Sequence, residues 1–396
     1  ILTEPLMHRT LRNSVSLLKS NYGTTWSLLL LPAMAAAVIK PPSPESTLDL
    51  LLRFLAYGVA LIPLARVISI LVDQLSEHLG DRYSGVVSVG LGNLVELVVS
   101  ITALASGLYR LVVISVAGAV ITNCILVLGI STFVAGRREQ HVQIDDRSTN
   151  LQARQLMLSL LFLAVPTVFS LGKGLNPMEG TDQLDNVAVY SLVVAVMILL
   201  YYMLSFVLQL GTHRSFFSRS QNQQRLASAA VEKAVVQSVA EGRTRQGIGT
   251  ILIAMVVVSS AVVLASDPLV ETLEVLLKNS PLGELFIGLI LLPLFGSTAE
   301  GVISIGAAAK GRMDLAITST LESSGQLMMF VLPMLVLLGW PMGRYLHLSV
   351  PLMALGSTGF AVVAVHWITE NNQLDWYEGI QLITLYGVIV LGTLLL

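Results

Sequence analysis

Apolar positions along the chain gather into eleven runs that read as helices crossing a bilayer. They lie near 26–39, 51–71, 86–105, 111–134, 156–171 and 187–210, then near 248–265, 282–308, 315–338, 346–368 and 380–396. A helix crosses the hydrocarbon core in roughly 20 residues, and its backbone must satisfy its hydrogen bonds within itself there. None of the runs alternates in the ten-residue manner of an outer-membrane barrel strand. The pattern therefore predicts an all-α, polytopic membrane protein of eleven helices. Placing the amino terminus in the cytoplasm puts sixteen Lys and Arg on that side and six on the other, an asymmetry that sets orientation. The polar stretch 211–247, rich in Gln, Ser and Arg, reads as a cytoplasmic linker. The expected organisation within one membrane domain is a tail and first helix at 1–45, a first repeat at 46–210 and a second at 248–396.

The division into repeats rests on a recurring decapeptide. GNLVELVVSI at 92–101 returns 204 residues later as GSTAEGVISI at 296–305, with five of ten positions identical. The identities include Gly92 and Gly296, Glu96 and Glu300, and Ser100 and Ser304. Five helices in each half give an odd number per repeat, so the copies are expected to face opposite ways. That is the inverted-repeat plan of many secondary transporters, whose sites lie near the midplane.

Composition narrows the classes further. Of 396 residues, 54% are hydrophobic and 12% charged, against about 25% charged in soluble domains. The lipid bilayer is thus the expected surrounding, with self-association left open, and an ordinary soluble enzyme is excluded. A net charge of -2 gives no basic excess for nucleic acid, so none is expected as a partner. The single cysteine, Cys124, lies in an apolar run and offers neither a disulfide framework nor a thiolate metal site. Nothing between Ile1 and Tyr22 reads as a targeting segment.

Two glutamates inside apolar helices are the strongest chemical signal. Residues four apart share a helix face, so Gly92, Glu96 and Ser100 form one stripe and Gly296, Glu300 and Ser304 another. A centrally placed acid costs roughly 2.5–3.5 kcal/mol on insertion scales, so its presence asks for a compensating ligand. A structural glutamate hydrogen-bonded in the bundle is the plainer account of either alone; a pair in matching motifs favours function. Two like charges in low dielectric cannot both stay ionised without a cation or protons. Competition between one divalent cation and two protons is itself an exchange mechanism. A hard cation such as Ca²⁺ wants about six to eight oxygens. Both carboxylates, Asn93, Ser297, Ser100, Ser304 and carbonyls freed at the glycines could supply them. No His or Cys adjoins either motif, which disfavours Zn²⁺.

Weaker candidates surround the pair. Asp73 and Asp267 are expected to end the second and seventh helices, in related places, with an interfacial charge facing water as the plainer account of each. Asn123 and Gln326 follow their glutamates by 27 and 26 residues, as ligands or as helix-to-helix hydrogen bonders. Glu322 is a third embedded acid with no counterpart in the first half. The class that fits is a secondary-active cation/proton antiporter with no resident cofactor, expected to export Ca²⁺ from the cytoplasm against entering H⁺; the nearest alternative keeps the fold and takes Mn²⁺, Na⁺ or K⁺ as substrate or Na⁺ as driving ion. A cation channel is the alternative from another class, but channels draw their ligand rings from oligomer symmetry. No nucleophile or zinc motif supports a hydrolase.

These residues resemble the Ca²⁺/H⁺ exchanger family of the Ca²⁺:cation antiporter superfamily. The likeness runs over nearly the whole chain, through Gly92-Asn-Leu-Val-Glu96, Thr122-Asn123-Cys124, Gly296-Ser-Thr-Ala-Glu300 and Ser323-Ser-Gly-Gln326. It implies one extra helix before two inverted five-helix repeats, with Glu96 and Glu300 as central cation and proton carriers. It also implies access roles for Asp73 and Asp267, and a prokaryotic cell membrane or a vacuolar or other organellar membrane. Three positions depart from the family: Ser297 and Gly301 stand where it usually has Asn and His, the linker is basic where members carry an acidic helix, and Glu322 stands where it tends to have glycine.

Overall fold

The computed structural model describes residues 47–79, 90–139, 142–144, 146–172, 180–181, 185–207, 247–279 and 283–395. The expected first helix at 26–39 and nearly all of the linker at 211–247 lie outside these. Among the described residues, eight helices are long and apolar enough to cross a bilayer, and a bent pair makes a ninth span. The protein is an all-α, multi-pass membrane protein.

In chain order the helices are α1 (Thr47–Leu79), α2 (Leu94–Ala105), α3 (Tyr109–Ile121), α4 (Leu128–Gly136), α5 (Asp146–Gly172), α6 (Asn186–Val207) and α7 (Ile248–Asn279). The second half continues with α8 (Glu284–Phe286), α9 (Leu292–Gly296), α10 (Thr298–Ala309), α11 (Met313–Gln326), α12 (Leu332–Gly339), α13 (Leu352–Thr369) and α14 (Trp376–Leu395). Three π-helical turns, Thr122–Val127, Ile287–Leu291 and Leu327–Val331, interrupt the spans that α3, α8 and α11 begin. A two-residue ribbon pairs β1 (Val142–Gln143) with β2 (Gln373–Leu374) in antiparallel fashion.

Contacts divide the chain into two compact units, Ile1–Val99 with Ser228–Leu276 and Ser100–Ala227 with Leu277–Leu396. Each unit draws segments from both halves of the sequence. In the first, α1 buries Leu50, Phe54, Tyr57, Leu61, Ile68, Val72 and Leu75, and α7 buries Ile251, Met255, Val258, Val262, Leu269 and Leu273. Both stripes step by three, four or seven residues, the period of a one-sided helix. In the second unit α3 is buried on every side from Leu111 to Ile121, as befits a helix apolar all round.

Close backbone approach at small residues holds the second unit together. A methyl group at Gly118 of α3 would stand 2.3 Å from the carbonyl oxygen of Leu289, and one at Gly379 of α14 would stand 2.5 Å from the amide nitrogen of Phe133. Lipid tails are as apolar as leucine, so helix association in a membrane depends on such packing.

The sequence repeat is also a backbone repeat. α2 and α10 are both twelve residues long and start 204 residues apart. Each ends in the same turn: Gly107 N–H donates to Leu104 O and Leu108 N–H to Ala103 O, as Gly311 N–H donates to Ala308 O and Arg312 N–H to Ala307 O. Gly107 and Gly311 both have positive φ, 79° and 73°, where a side chain would be strained. α4 and α12 start 204 residues apart as well, each just after a π turn.

Three sequence expectations are corrected. The run at 282–308 is not one straight span, because it bends by 63° between Glu284–Gly296 and Glu300–Ala309. The run at 86–105 breaks in the matching place, at Asn93. Asp73 and Asp267 do not end their helices, since α1 runs on to Leu79 and α7 to Asn279, carrying Pro63 and Pro268 inside them. Hydropathy marks where a helix leaves hydrocarbon, whereas the helix itself continues while its hydrogen bonds do.

Between α12 and α13 the chain passes through the non-helical segment Tyr345–Val350 and is tied to two spans. Leu348 N–H donates to Ser191 Oγ of α6 at 3.0 Å, and Val350 N–H to Thr167 Oγ1 of α5 at 2.9 Å. His347 is buried in this strap with Nε2 3.3 Å from Asp185 Oδ1, which also accepts the Ala188 N–H at the start of α6. Burial pushes the His347 imidazole below its ordinary value, and the Asp185 carboxylate offsets this only in part.

Two outcomes follow from this packing. Gly118→Ala and Gly379→Ala should each destabilise the detergent-solubilised protein by about 1–3 kcal/mol through overpacking. Gly387→Ala, with nothing within 4 Å, should be neutral or stabilising in thermal unfolding; equal behaviour of all three would refute the close-packing account. For His347, the unfolded chain takes up its proton at higher pH than the folded one, so stability falls as pH drops below about 6.5. His347→Gln should flatten that acid limb, and an unchanged pH profile of the melting temperature would count against the burial argument.

Candidate functional site

α9 ends at Gly296, and Ser297 leaves helical geometry at φ −76°, ψ 3° before α10 begins at Thr298. This break sets Glu300 in the first turn of α10, where unpaired backbone N–H groups favour a carboxylate. Gly301 N–H donates back to Ser297 O at 2.9 Å. Ser297, Glu300 and Ser304 share one helix face by their three- and four-residue spacing. Among the described residues, Glu300 Oε2 is buried without a hydrogen-bond partner, and so are Ser297 Oγ and Ser304 Oγ. Buried polar atoms are rarely left unpaired, and each such group costs about 1–3 kcal/mol. Three such atoms lie together on one face of α10.

α10 packs on α4, on α11 and on the π turn Thr122–Val127. That turn carries Asn123, which is 1% exposed. Its Nδ2 donates to Ser323 Oγ of α11 at 3.2 Å, and beside it Cys124 Sγ donates to Ser324 Oγ at 3.3 Å. Asn123 Oδ1 is buried with no partner among the described residues, whereas the Thr122 side chain meets the hydroxyl of Tyr386. The hydrogen bonding expected of Asn123 between helices is thus present, and its acceptor oxygen is still left over. π turns widen a helix and recur at functional positions. Gln326, also buried, closes α11 just before the next π turn, and its Nε2 donates to Glu322 Oε1 at 3.4 Å.

The structure accounts for two departures noted in the sequence. Gly301 faces Val127, whose Cγ2 a methyl group there would meet at 3.4 Å, so an imidazole at 301 would displace Val127. Glu322 falls 204 residues after Gly118, whose contact with Leu289 O leaves no room for a side chain. The third acid has no partner in the first half for that steric reason.

In the first unit the same local construction surrounds Glu96. Residues 90–92 are helical, the helix breaks at Asn93, and α2 resumes at Leu94 with Glu96 in its first turn. Leu97 N–H donates to Asn93 O at 3.0 Å, the bond that Gly301 makes to Ser297. Gly92 lies just before the break, Asn93 is buried and Glu96 is half-buried. Ser100, one turn along α2 from Glu96, is buried and is the first residue of the second unit. Asp73 and Asp267 are exposed carboxylates within α1 and α7.

The family pattern described as sodium/calcium exchanger protein matches residues 50–211 and 250–395. The chain belongs to that family. Among relatives of this exchanger, a protein named Ca²⁺/H⁺ antiporter from Synechocystis sp. is 28% identical over 345 residues, covering 86% of this chain and 90% of the relative. The vacuolar calcium ion transporter of Schizosaccharomyces pombe is 28% identical over 340 residues, covering 86% and 78%. The crystal structure of the Ca²⁺/H⁺ antiporter protein YfkE, 25% identical, superposes with a TM-score of 0.70 over 94% of this chain and 100% of that one. The all-α membrane fold expected from the apolar runs is that of known exchangers.

Sequence reasoning on this exchanger missed Thr122, Ser323 and Ser324. A strict offset of 204 from Gln326 lands on Thr122 and not on Asn123, so the repeat did carry the signal for Thr122. The serine pairings carried none, since they depend on which faces of the π turn and α11 meet.

Proposed function

We propose that this exchanger is a secondary-active antiporter that carries Ca²⁺ out of the cytoplasm against entering H⁺, with no resident cofactor and no chemical change to its cargo. The observation that carries the reading is the buried carboxylate oxygen of Glu300, unpartnered alongside Ser297 Oγ and Ser304 Oγ. The relatives named as Ca²⁺/H⁺ antiporters and as a vacuolar calcium transporter support the choice of ions.

In this reading Glu96 and Glu300, one from each repeat, are jointly neutralised by one Ca²⁺ or by two protons. Asn93, Ser297, Ser100 and Ser304 add side-chain oxygens, as do Asn123 and Gln326, and the helix breaks beside Gly92 and Gly296 free backbone carbonyls. Hard oxygen ligands in that number suit Ca²⁺. The doubly ionised, empty state is the costly one, so the protein changes its access side only when loaded with cation or protons. That restriction converts a pH gradient into Ca²⁺ movement. Asp73 and Asp267, exposed on α1 and α7, serve ion or proton access.

The test is Ca²⁺ uptake into proteoliposomes under an imposed pH gradient, repeated with Mn²⁺, Na⁺ and K⁺. Wild type should take up Ca²⁺ in a strictly gradient-dependent way. Glu96→Gln and Glu300→Gln should each reduce uptake to background while eluting from a sizing column as the wild type does. Near-normal uptake by either variant would remove that residue from the carrier role.

A further inference from the structure

α14 turns one narrow face into the second unit, formed by Gly379, Leu382, Tyr386 and Ile389, and Tyr386 is the single polar side chain among these four. A seam of close approaches to α4 fixes where that face sits. A methyl group at Gly136 would stand 2.2 Å from the amide nitrogen of Trp376, and one at Gly129 would stand 2.9 Å from Leu382 Cβ. With Gly379 against Phe133 between them, the two helices run antiparallel in one register. One further turn along α14 carries Tyr386 to the π turn Thr122–Val127, on which α14 also packs. There the Tyr386 hydroxyl meets the Thr122 side chain. Both oxygens are buried, and neither has another partner among the described residues.

The π turn is thereby held from two sides. Asn123 Nδ2 and Cys124 Sγ fasten it to Ser323 and Ser324 of α11, and Thr122 fastens it to α14. A π turn gives up the regular helical ladder, here passing the Leu128 N–H to Asn123 O, so its shape depends on outside contacts more than that of an α-helix does. The last helix of the other half is used alike. α6 packs on the π turn Leu327–Val331 and lays the ring of the buried Tyr202 against Phe330, with 6.3 Å between centroids. Each half thus ends in a helix that closes on the π turn of the other with a buried tyrosine, and beside Asn123 the contact is made hydroxyl to hydroxyl.

We propose that Tyr386 is a positioning residue for the transported cation: through Thr122 it fixes the π turn so that the adjacent Asn123 holds its Oδ1 where the cation takes it as a ligand. The inference rests on the reading of Asn123 as a ligand given above, and names what keeps that ligand in place. Asn123 spends its amino end on Ser323, and its buried Oδ1 is the end left to offer. That aim is lost if the turn rolls or tightens to plain α-helix. Thr122, one position before Asn123, is where α14 resists both movements. Tyr386 acts on the cation only through the turn. Groups that orient a metal's ligands without touching the metal typically change its affinity by about ten- to a hundredfold.

Ca²⁺ binding calorimetry on the full chain in detergent, with Ca²⁺ uptake into proteoliposomes under a pH gradient beside it, tests the assignment. Tyr386→Phe keeps the ring and removes one hydroxyl, and Thr122→Val removes the other at nearly constant volume. Each should weaken Ca²⁺ binding and raise KM by about tenfold, while maximal uptake stays near that of wild type. The double variant should bind no more weakly than either single one, because both remove the same contact. Thr122→Ser should recover the affinity that Thr122→Val loses. On an Asn123→Ala background, Tyr386→Phe should weaken binding no further. A merely structural role would lower the melting temperature and leave the affinity of the folded protein where it was. Unchanged affinity in Tyr386→Phe or Thr122→Val, losses that add in the double variant, or a full Tyr386→Phe effect on the Asn123→Ala background would overturn the proposal. Asn123→Ala that binds Ca²⁺ as wild type does would also overturn it, and would leave antiport standing. Wild type that moves no Ca²⁺ under a pH gradient would instead overturn the function on which it rests, and this inference with it.

Discussion

A carboxylate enclosed by apolar helices must be discharged by something positive, and the local architecture of this exchanger is organised around that demand. Glu300 is placed in the opening turn of a helix by a break at Ser297, and Glu96 in the opening turn of another by a break at Asn93. Free amide hydrogens ease the charge there without cancelling it. Around Glu300 the neighbouring hydroxyls of Ser297 and Ser304 are buried and unpartnered among the described residues, which in a finished hydrogen-bond network would be a defect. Under the function proposed above, the missing partner is the transported cation.

The two repeats share a backbone more closely than they share side chains. The length of α2 and α10, the positive-φ glycines at their ends, and the returning hydrogen bonds from Leu97 and Gly301 all recur at one offset. Against that frame, Glu322 stands opposite Gly118, Gln326 opposite Thr122, and Ser297 opposite Asn93. Packing enforces part of this asymmetry, because Leu289 O fills the space at Gly118. The two halves can therefore hold unequal numbers of titratable groups.

Much of this was legible in the residues. Apolar runs located the spans, and the decapeptide at 92–101 and 296–305 located both glutamates and both serines. What escaped has physical causes. The glycines at 92 and 296 signalled freed carbonyls, but hydropathy cannot see how sharply an apolar run turns, so the 63° bend was missed. It also cannot see a helix that outlasts the membrane, and for that reason Asp73 and Asp267 looked terminal. π turns carry no composition of their own. The His347 and Asp185 contact joins segments 162 positions apart, and only the folded chain reveals it.

The central claim is that one cation answers to both glutamates. Ca²⁺ binding measured calorimetrically on wild type, Glu96→Gln, Glu300→Gln and the double variant tests it most directly, as a double-mutant cycle. A shared ion predicts one Ca²⁺ per chain in the wild type and strong non-additivity, with the double variant scarcely weaker than either single one. Two bound ions per chain, or losses in affinity that simply add, would mean that the carboxylates work separately, and the account would fail.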